Sequence, residues 1–201
     1  MKRRNASLTV ATLAASLLMT GCTDDGNPAA STPESSSPSP SSPATPPTYK
    51  MPTNLCSSVS SDAFADLAPA TPPKTSEMAR SQSERRSSST CVITLGALDK
   101  AVLVSVGVDL FPDAVGAQGN YEGFRDVVFK DNPGARDVTG VGAAAYFFAD
   151  PTLGPHLVVQ YGNAHLAVAA AAVNDSKTLP SDIERRLVTT AKATLNKLPT
   201  A

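Results

Sequence analysis

The chain has 201 residues, 41% hydrophobic and 17% charged, with 17 Lys and Arg against 18 Asp and Glu for a net charge near −1. That balance excludes a basic nucleic-acid binder, which needs a cationic footprint, so no nucleic-acid partner is expected. No apolar run reaches the roughly 20 residues of a spanning helix, which excludes a multi-pass membrane protein, and the length suits one domain with tails.

The amino terminus reads as an address. Lys2, Arg3 and Arg4 form a positive start, and Ala6 to Met19 is an uncharged, mostly apolar stretch of 14 residues. That is the layout of a secretory signal and too short for a comfortable span. Leu18-Met19-Thr20-Gly21-Cys22 resembles a bacterial lipobox, with Met19 where Leu is usual. The resemblance implies cleavage after Gly21 and a diacylglycerol on the Cys22 thiol. Residues 1–21 are therefore expected to be a lipoprotein signal peptide and Cys22 the lipidated mature terminus. The competing reading is an ordinary secretory signal with a chance cysteine. Loss of the signal removes three positive charges and leaves 14 basic and 18 acidic side chains. The expected partner is thus the cell membrane on its extracytoplasmic face, held by acyl chains, each buried methylene contributing about 0.8 kcal/mol.

Residues 22–53 read as the lipidated cysteine and a tether. Prolines 28, 33, 38, 40, 43, 46, 47 and 52 stand among many Ser and Thr, and Glu34 is the one charge between Pro28 and Pro47. Such composition buries too little apolar surface to offset chain entropy, so a disordered, partly polyproline-like spacer is expected. Fully extended, about 30 residues at about 3.1 Å each reach roughly 90 Å. Pro40 and Pro43 have Pro-x-x-Pro spacing, but the usual readers of that motif are intracellular. The remainder, 54–201, reads as a single domain.

With Cys22 lipidated, Cys56 and Cys91 remain. In an oxidising compartment they are expected to pair, enclosing a loop of about 35 residues. The chain-entropy model assigns such a closure about 3.8 kcal/mol. A redox pair would normally be a close Cys-x-x-Cys, which is absent.

Ser58–Leu67 reads as a short helix capped by Ser60 or Ser61, with Phe64 and Leu67 on one face and Pro69, Pro72 and Pro73 beyond it. Lys74–Thr90 is polar throughout and reads as a mobile surface loop. Its Arg80, Arg85 and Arg86 offer charge to an anionic partner, but Glu77 and Glu84 sit among them, which favours a solvated loop. Cys91–Leu95 and Ala101–Phe111 read as a hairpin turning near Asp99-Lys100. Asn120–Lys130 reads as a helix with Tyr121, Phe124, Val127 and Val128 as its apolar stripe and Glu122, Arg125 and Asp126 outward, stopped by Asn132-Pro133-Gly134. Ala143–Ala149 reads as a strand with Tyr146 and Phe148 opposite Phe147. Leu157–Tyr161 and Ala164–Val173 flank Gly162-Asn163, a two-residue hairpin signal. That hairpin opposes Gln160 to His165 and His156 to Ala169. Finally, Ser181-x-x-Glu184 reads as a capping box, followed by Ile183, Leu187, Ala191, Leu195 and Leu198 on one face. The order α-ββ-α-β-ββ-α predicts an α+β domain, an antiparallel sheet of about five strands covered by helices on one side, with one disulfide.

The lipobox, the Ser/Thr/Pro spacer, Leu55-Cys56 before a short helix and Cys91 opening a strand occur together with Val138-Thr139-Gly140-Val141-Gly142-Ala143-Ala144-Ala145. Together these resemble small actinobacterial lipoproteins built on a domain of unknown function. The resemblance implies location and fold and carries over no catalytic residue.

The search for chemistry is nearly empty. Gly140 to Ala145 matches the Gly-x-Gly-x-x-Ala fingerprint, but a dinucleotide site needs a helix after it, and an aromatic strand is expected instead. The better reading is a glycine turn. His156 and His165 lie too far apart along the hairpin to share a metal, and no His-Glu-x-x-His or EF-hand pattern is present. Neither Gly-x-Ser-x-Gly nor Ser-x-x-Lys occurs. Asp109, Asp113 and Asp150 read as turn or strand-end residues. No catalytic residue, metal or cofactor is therefore assigned. The expectation is a non-enzymatic binding or interaction module of the cell envelope, its partner an envelope protein or small ligand. The alternatives are an extracytoplasmic enzyme with a site of scattered residues, and a sensor or accessory subunit of a transporter.

Overall fold

The computed structural model describes residues 46–67, 72–97, 101–173 and 178–201, apart from the Ala79 side chain. The signal segment, Cys22, the tether up to residue 45, Pro69 and the Asp99-Lys100 turn lie outside these residues. Seven strands form one antiparallel sheet: β1 (Lys74–Gln82), β2 (Ser87–Leu95), β3 (Val102–Leu110), β4 (Arg136–Asp137), β5 (Ala144–Asp150), β6 (Gly154–Tyr161) and β7 (Ala164–Ala172). Their spatial order is β1-β2-β3-β7-β6-β5-β4. Helix α1 (Ala114–Asp131) links β3 to β4, and α2 (Ile183–Lys197) follows β7. Two meanders thus meet at the β3–β7 pair. The class is α+β with an antiparallel sheet, as expected, but β1 and β4 widen it beyond five strands and the chain order differs.

The first correction concerns Lys74–Thr90, read as a mobile loop. It forms β1, the turn Ser83–Arg86 and the start of β2. Ser83 N donates to Arg86 O at 2.9 Å, and Arg86 N donates to the Ser83 hydroxyl at 3.1 Å, which closes the turn. β1 is an edge strand with mostly exposed side chains, so it carries no apolar alternation for a sequence reading to find. A register shift between Glu77 and Ala79 bulges it, a common device on open edges.

The second correction concerns Ser58–Leu67. In place of an α-helix there are two 3-10 segments, Leu55–Ser58 and Asp62–Leu67. The Asn54 side chain accepts from Cys56 N at 2.9 Å, and Leu55 and Phe64 are fully buried. Cys56 and Cys91 are disulfide-bonded with their Cα atoms 5.2 Å apart, which ties the first 3-10 segment to β2.

The helices cover opposite faces of the sheet, not one. On the larger face, Ile93, Val104, Val106, Leu157, Leu166 and Val168 pack under Leu187, Ala191, Leu195 and Leu198 of α2. Ile183 of the same stripe is partly buried against them. The expected capping box is not formed: α2 begins one residue later than that motif requires, with Asp182 at the cap and making no side-chain cap bond. Asp182 instead pairs with Arg185 and Arg186, and Glu184 pairs with Arg136.

On the other face, α1 packs Tyr121 against Tyr146 and Val158, with Val128, Phe129 and Phe148 beside them. The apolar stripe read from sequence is corrected here, since Phe124 is 54% and Val127 59% exposed. The helix starts six residues earlier than expected, at an Asp113 cap whose Oδ1 accepts from Gly116 N at 2.8 Å. That adds Ala117 to the buried face. At about 100° per residue, Ala117 and Val128 lie within about 40° of Tyr121, whereas Val127 lies about 120° away. Arg125, expected outward, is half-buried, lying over the Phe129 ring at 4.0 Å and pairing with Asp137.

Residues 46–51, grouped with the tether by composition, form a strap packed on the domain. Tyr49 is 6% exposed and bridges Thr200. Lys50 N donates to Pro199 O, and Ala201 N to Thr48 O, both at 2.8 Å. The strap runs over the β6–β7 turn, where Asn163 Oδ1 accepts from Tyr49 N at 2.7 Å and Asn163 Nδ2 donates to the carbonyls of Tyr49 and Phe111. Gly162 has φ +56°, and a Cβ there would lie 1.9 Å from Pro47 O. The Gly-Asn dipeptide therefore sets the turn and also makes room for the strap.

Candidate functional site

A cleft of about 480 Å³ opens where the strap, the β1–β2 turn and the segment after β3 converge. Three cations, Lys50, Arg80 and Arg86, line it against one carboxylate, Glu84. Met51, Leu110, Phe111 and Pro112 supply apolar wall. These residues come from segments far apart in sequence, so the cleft exists only in the folded chain.

The three cations stand in different states. Arg80 is engaged in the fold: its guanidinium donates to Glu77 at 3.0 Å and to the carbonyls of Pro52 and Thr53 at 2.7 Å. A hydrogen bond from Ser89 and the Arg80 pair hold the Glu77 carboxyl below the usual range. Arg86 is looser, with Nη1 3.7 Å from Asp109 Oδ2 and its side chain half exposed. Among the described residues the Lys50 ammonium has no hydrogen bond or ion pair, although its backbone is fixed by the strap.

Behind the cleft a polar row crosses the sheet. The register aligns Ser88 with Asp109, Asp109 with His165, and His165 with Gln160. The last pairing and the His156–Ala169 pairing are the ones expected from the Gly162-Asn163 turn. The Ser88 hydroxyl donates to Asp109, and His165 Nδ1 lies 3.7 Å from the same carboxylate. Burial opposes charge on Asp109, but His165, Ser88 and Arg86 outweigh it and hold its carboxyl below the usual range. His165 Nε2 is buried with no hydrogen-bond partner. The half-exposed Phe124 ring, at the edge of the α1–sheet contact, stacks on His165 with centroids 5.8 Å apart. Asp109, next to the end of β3, is thus the strand-end residue of the two readings, and it serves there as an acceptor.

A second hollow of about 440 Å³ lies beside α1, β4 and β5. Its charged groups are engaged, Glu122 accepting from Gln118 at 2.8 Å and Arg125 pairing with Asp137. Arg125 grips Asp137 through Nε at 3.0 Å and Nη2 at 2.7 Å, which ties the short β4 to the helix. Burial, with the charge of Asp137, pushes the Tyr121 phenol up to about 12. The Gly140–Ala145 segment is a bend entering β5 whose Ala143–Ala145 line the hollow, with no helix after it, so the dinucleotide fingerprint has no structural counterpart. A Cβ on Gly142 would lie 2.5 Å from Val159 and 2.6 Å from Gln160 O, so glycine there serves close packing.

The remaining residues singled out in the sequence have local roles. His156 Nδ1 lies 2.8 Å from Gly154 O, and its ring stacks on Phe148 at 4.8 Å. Asp150 accepts from Thr152 N and Leu153 N in the β5–β6 turn. Cys22 lies outside the described residues. Among those residues no group of three His, Cys, Asp or Glu side chains is placed to hold a metal, and no helix is long and apolar enough to cross a membrane. Lys50, Leu110 and Phe111 carry no motif that marks a site in sequence. Set against known protein families, curated proteins and solved structures, the chain matches none.

Proposed function

We propose that the protein is a lipid-anchored lipoprotein of the cell envelope, held by Cys22 on the extracytoplasmic face, whose domain binds a ligand without chemical change. The anchoring rests on residues 1–22, and the likeness to small actinobacterial lipoproteins accords with it. The binding role rests on one observation: the cleft joins cationic and apolar walls but presents no nucleophile bonded to a base. Such mixed walls suit recognition of small molecules.

Two experiments test this. Fractionation and mass spectrometry of the wild-type chain should find a lipidated Cys22 in membranes, and Cys22→Ser should release the protein; absence of lipid removes the anchor. Native mass spectrometry after exposure to envelope extract should show a retained small molecule, lost when Pro112→Trp fills the cleft. A second reading, an enzyme, draws on the Asp109–His165 alignment with its buried, unpartnered Nε2. Consumption of an extract component that stops with His165→Ala would establish that reading and displace the first.

A further inference from the structure

We infer that the cleft selects an anion: a carboxylate or phosphate carried on an apolar body. This deepens the binding role proposed above and rests on it.

The chain as a whole carries slightly more acidic than basic side chains. The cleft walls carry three cations to one carboxylate, with Glu77 and Asp109 just outside the lining pairing Arg80 and Arg86 and Lys50 left as the cation without an ion-pair partner among the described residues. Clefts lined by one sign of charge concentrate ligands of the other sign. Two of the three cations are available. Lys50 has no side-chain partner among the described residues, and Arg86 is ion-paired with Asp109 at 3.7 Å but half exposed and without a side-chain hydrogen bond there. Arg80, paired with Glu77 and bonded to two carbonyls, is largely neutralised and serves as wall. An entering carboxylate or phosphate gives Lys50 and Arg86 the charge-assisted hydrogen bonds they lack, and such bonds are roughly twice as strong as neutral ones. The guanidinium fork of Arg86 suits the paired oxygens of either group.

The apolar body follows from the rest of the wall. Met51, Leu110, Phe111 and Pro112 offer contact surface, and the volume falls in the range of small-molecule sites. The strap presents Lys50 already in place, because its backbone is bonded to Pro199 and its neighbour Tyr49 to Asn163. Preorganisation of this kind lowers the ordering cost of binding.

The test uses the full oxidised chain carrying Cys22→Ser. Four probes are titrated while the amides of Lys50, Met51 and Phe111 are followed by NMR: phenyl phosphate, 4-phenylbutyrate, inorganic phosphate and 4-phenylbutanol. Both aromatic anions should bind saturably and weaken with salt, and inorganic phosphate should bind more weakly. The uncharged alcohol should bind more weakly than 4-phenylbutyrate. Lys50→Glu breaks no contact in the fold and should weaken the aromatic anions about tenfold, the loss of one charged hydrogen bond. Binding of the alcohol as tight as the butyrate, or an unchanged affinity in Lys50→Glu, overturns anion selection and leaves the cleft a binding site. Shifts confined to residues outside the cleft, or no saturable shift with any probe, overturn both readings.

Discussion

Gly162→Ala tests whether the strap is an integral part of the domain. Two effects add at this position. With φ at +56°, an L side chain in the left-handed region costs about 1–2 kcal/mol. A Cβ would also lie 1.9 Å from Pro47 O, a backbone atom, so the strap must move away. Its departure exposes Tyr49, whose burial contributes about 1.5–3 kcal/mol, and breaks the bonds to Asn163 at about 1 kcal/mol each. Freed chain entropy returns part of this. The expected net loss is about 2–4 kcal/mol in urea denaturation, with amide exchange at Tyr49 and Lys50 rising towards that of an open chain. Gly134→Ala is the control. Its Cβ would meet nothing within 4 Å and its φ is not positive, so stability should stay within about 0.5 kcal/mol. An unchanged midpoint together with unchanged protection at Tyr49 in Gly162→Ala would refute the reasoning.

Three further outcomes are expected. Leu187→Ala, at a fully buried position of α2, should cost about 2–5 kcal/mol by chemical denaturation, whereas exposed Lys192→Ala should stay within about 0.5 kcal/mol. In an alkaline titration followed by tyrosinate absorbance, Tyr121 and Tyr146 should ionise only near pH 12, because burial pushes both phenols up to about 12. Native stability should accordingly be full below about pH 10 and fall as pH rises from there. Asp109 has a lowered carboxyl pKa, so its ionised form stabilises the fold above the unfolded value of about 3.9 and loses that effect as pH falls below it. Asp109→Asn should therefore be less stable than wild type at pH 7 and approach it near pH 3; a constant difference across that range would sink the charge argument.

What sequence made legible divides along a physical line. The α2 stripe, the β6–β7 register and the disulfide pairing were readable because each depends on residues close in sequence or on a count. Ile183 to Leu198 repeats with the helix period, Gly162-Asn163 sets a two-residue turn, and two cysteines allow one pairing. β1 escaped because an edge strand has no buried face of its own to imprint an apolar alternation on Lys74–Gln82. The inward face of α1 is legible only in part: Tyr121 and Val128 pack inward, but Val127 is apolar yet outward, Phe124 lies half over His165 at the margin, and the small Ala117 adds to the buried face. Nothing local marks the cleft. Lys50, Arg86 and Phe111 are brought together only by the strap crossing the sheet end, a contact between residues more than a hundred positions apart.

That crossing also links the proposed site to the tether. Lys50 belongs to the strap, and the strap is the first part of the domain after the spacer. A ligand that bonds Lys50 binds only molecules whose strap is docked, so ligand binding and strap docking are one coupled equilibrium. The coupling is reciprocal: a ligand raises the protection of Tyr49, and loosening the strap weakens the ligand by the same factor. Gly162→Ala and Lys50→Glu therefore separate two causes of weak anion binding. The first displaces the strap and Lys50 with it, and exchange at Tyr49 rises. The second removes the charge while leaving the wall, and exchange at Tyr49 stays low. Anion binding that survives Gly162→Ala with the strap demonstrably open would mean that Arg86 and the sheet end suffice, and that Lys50 is a bystander.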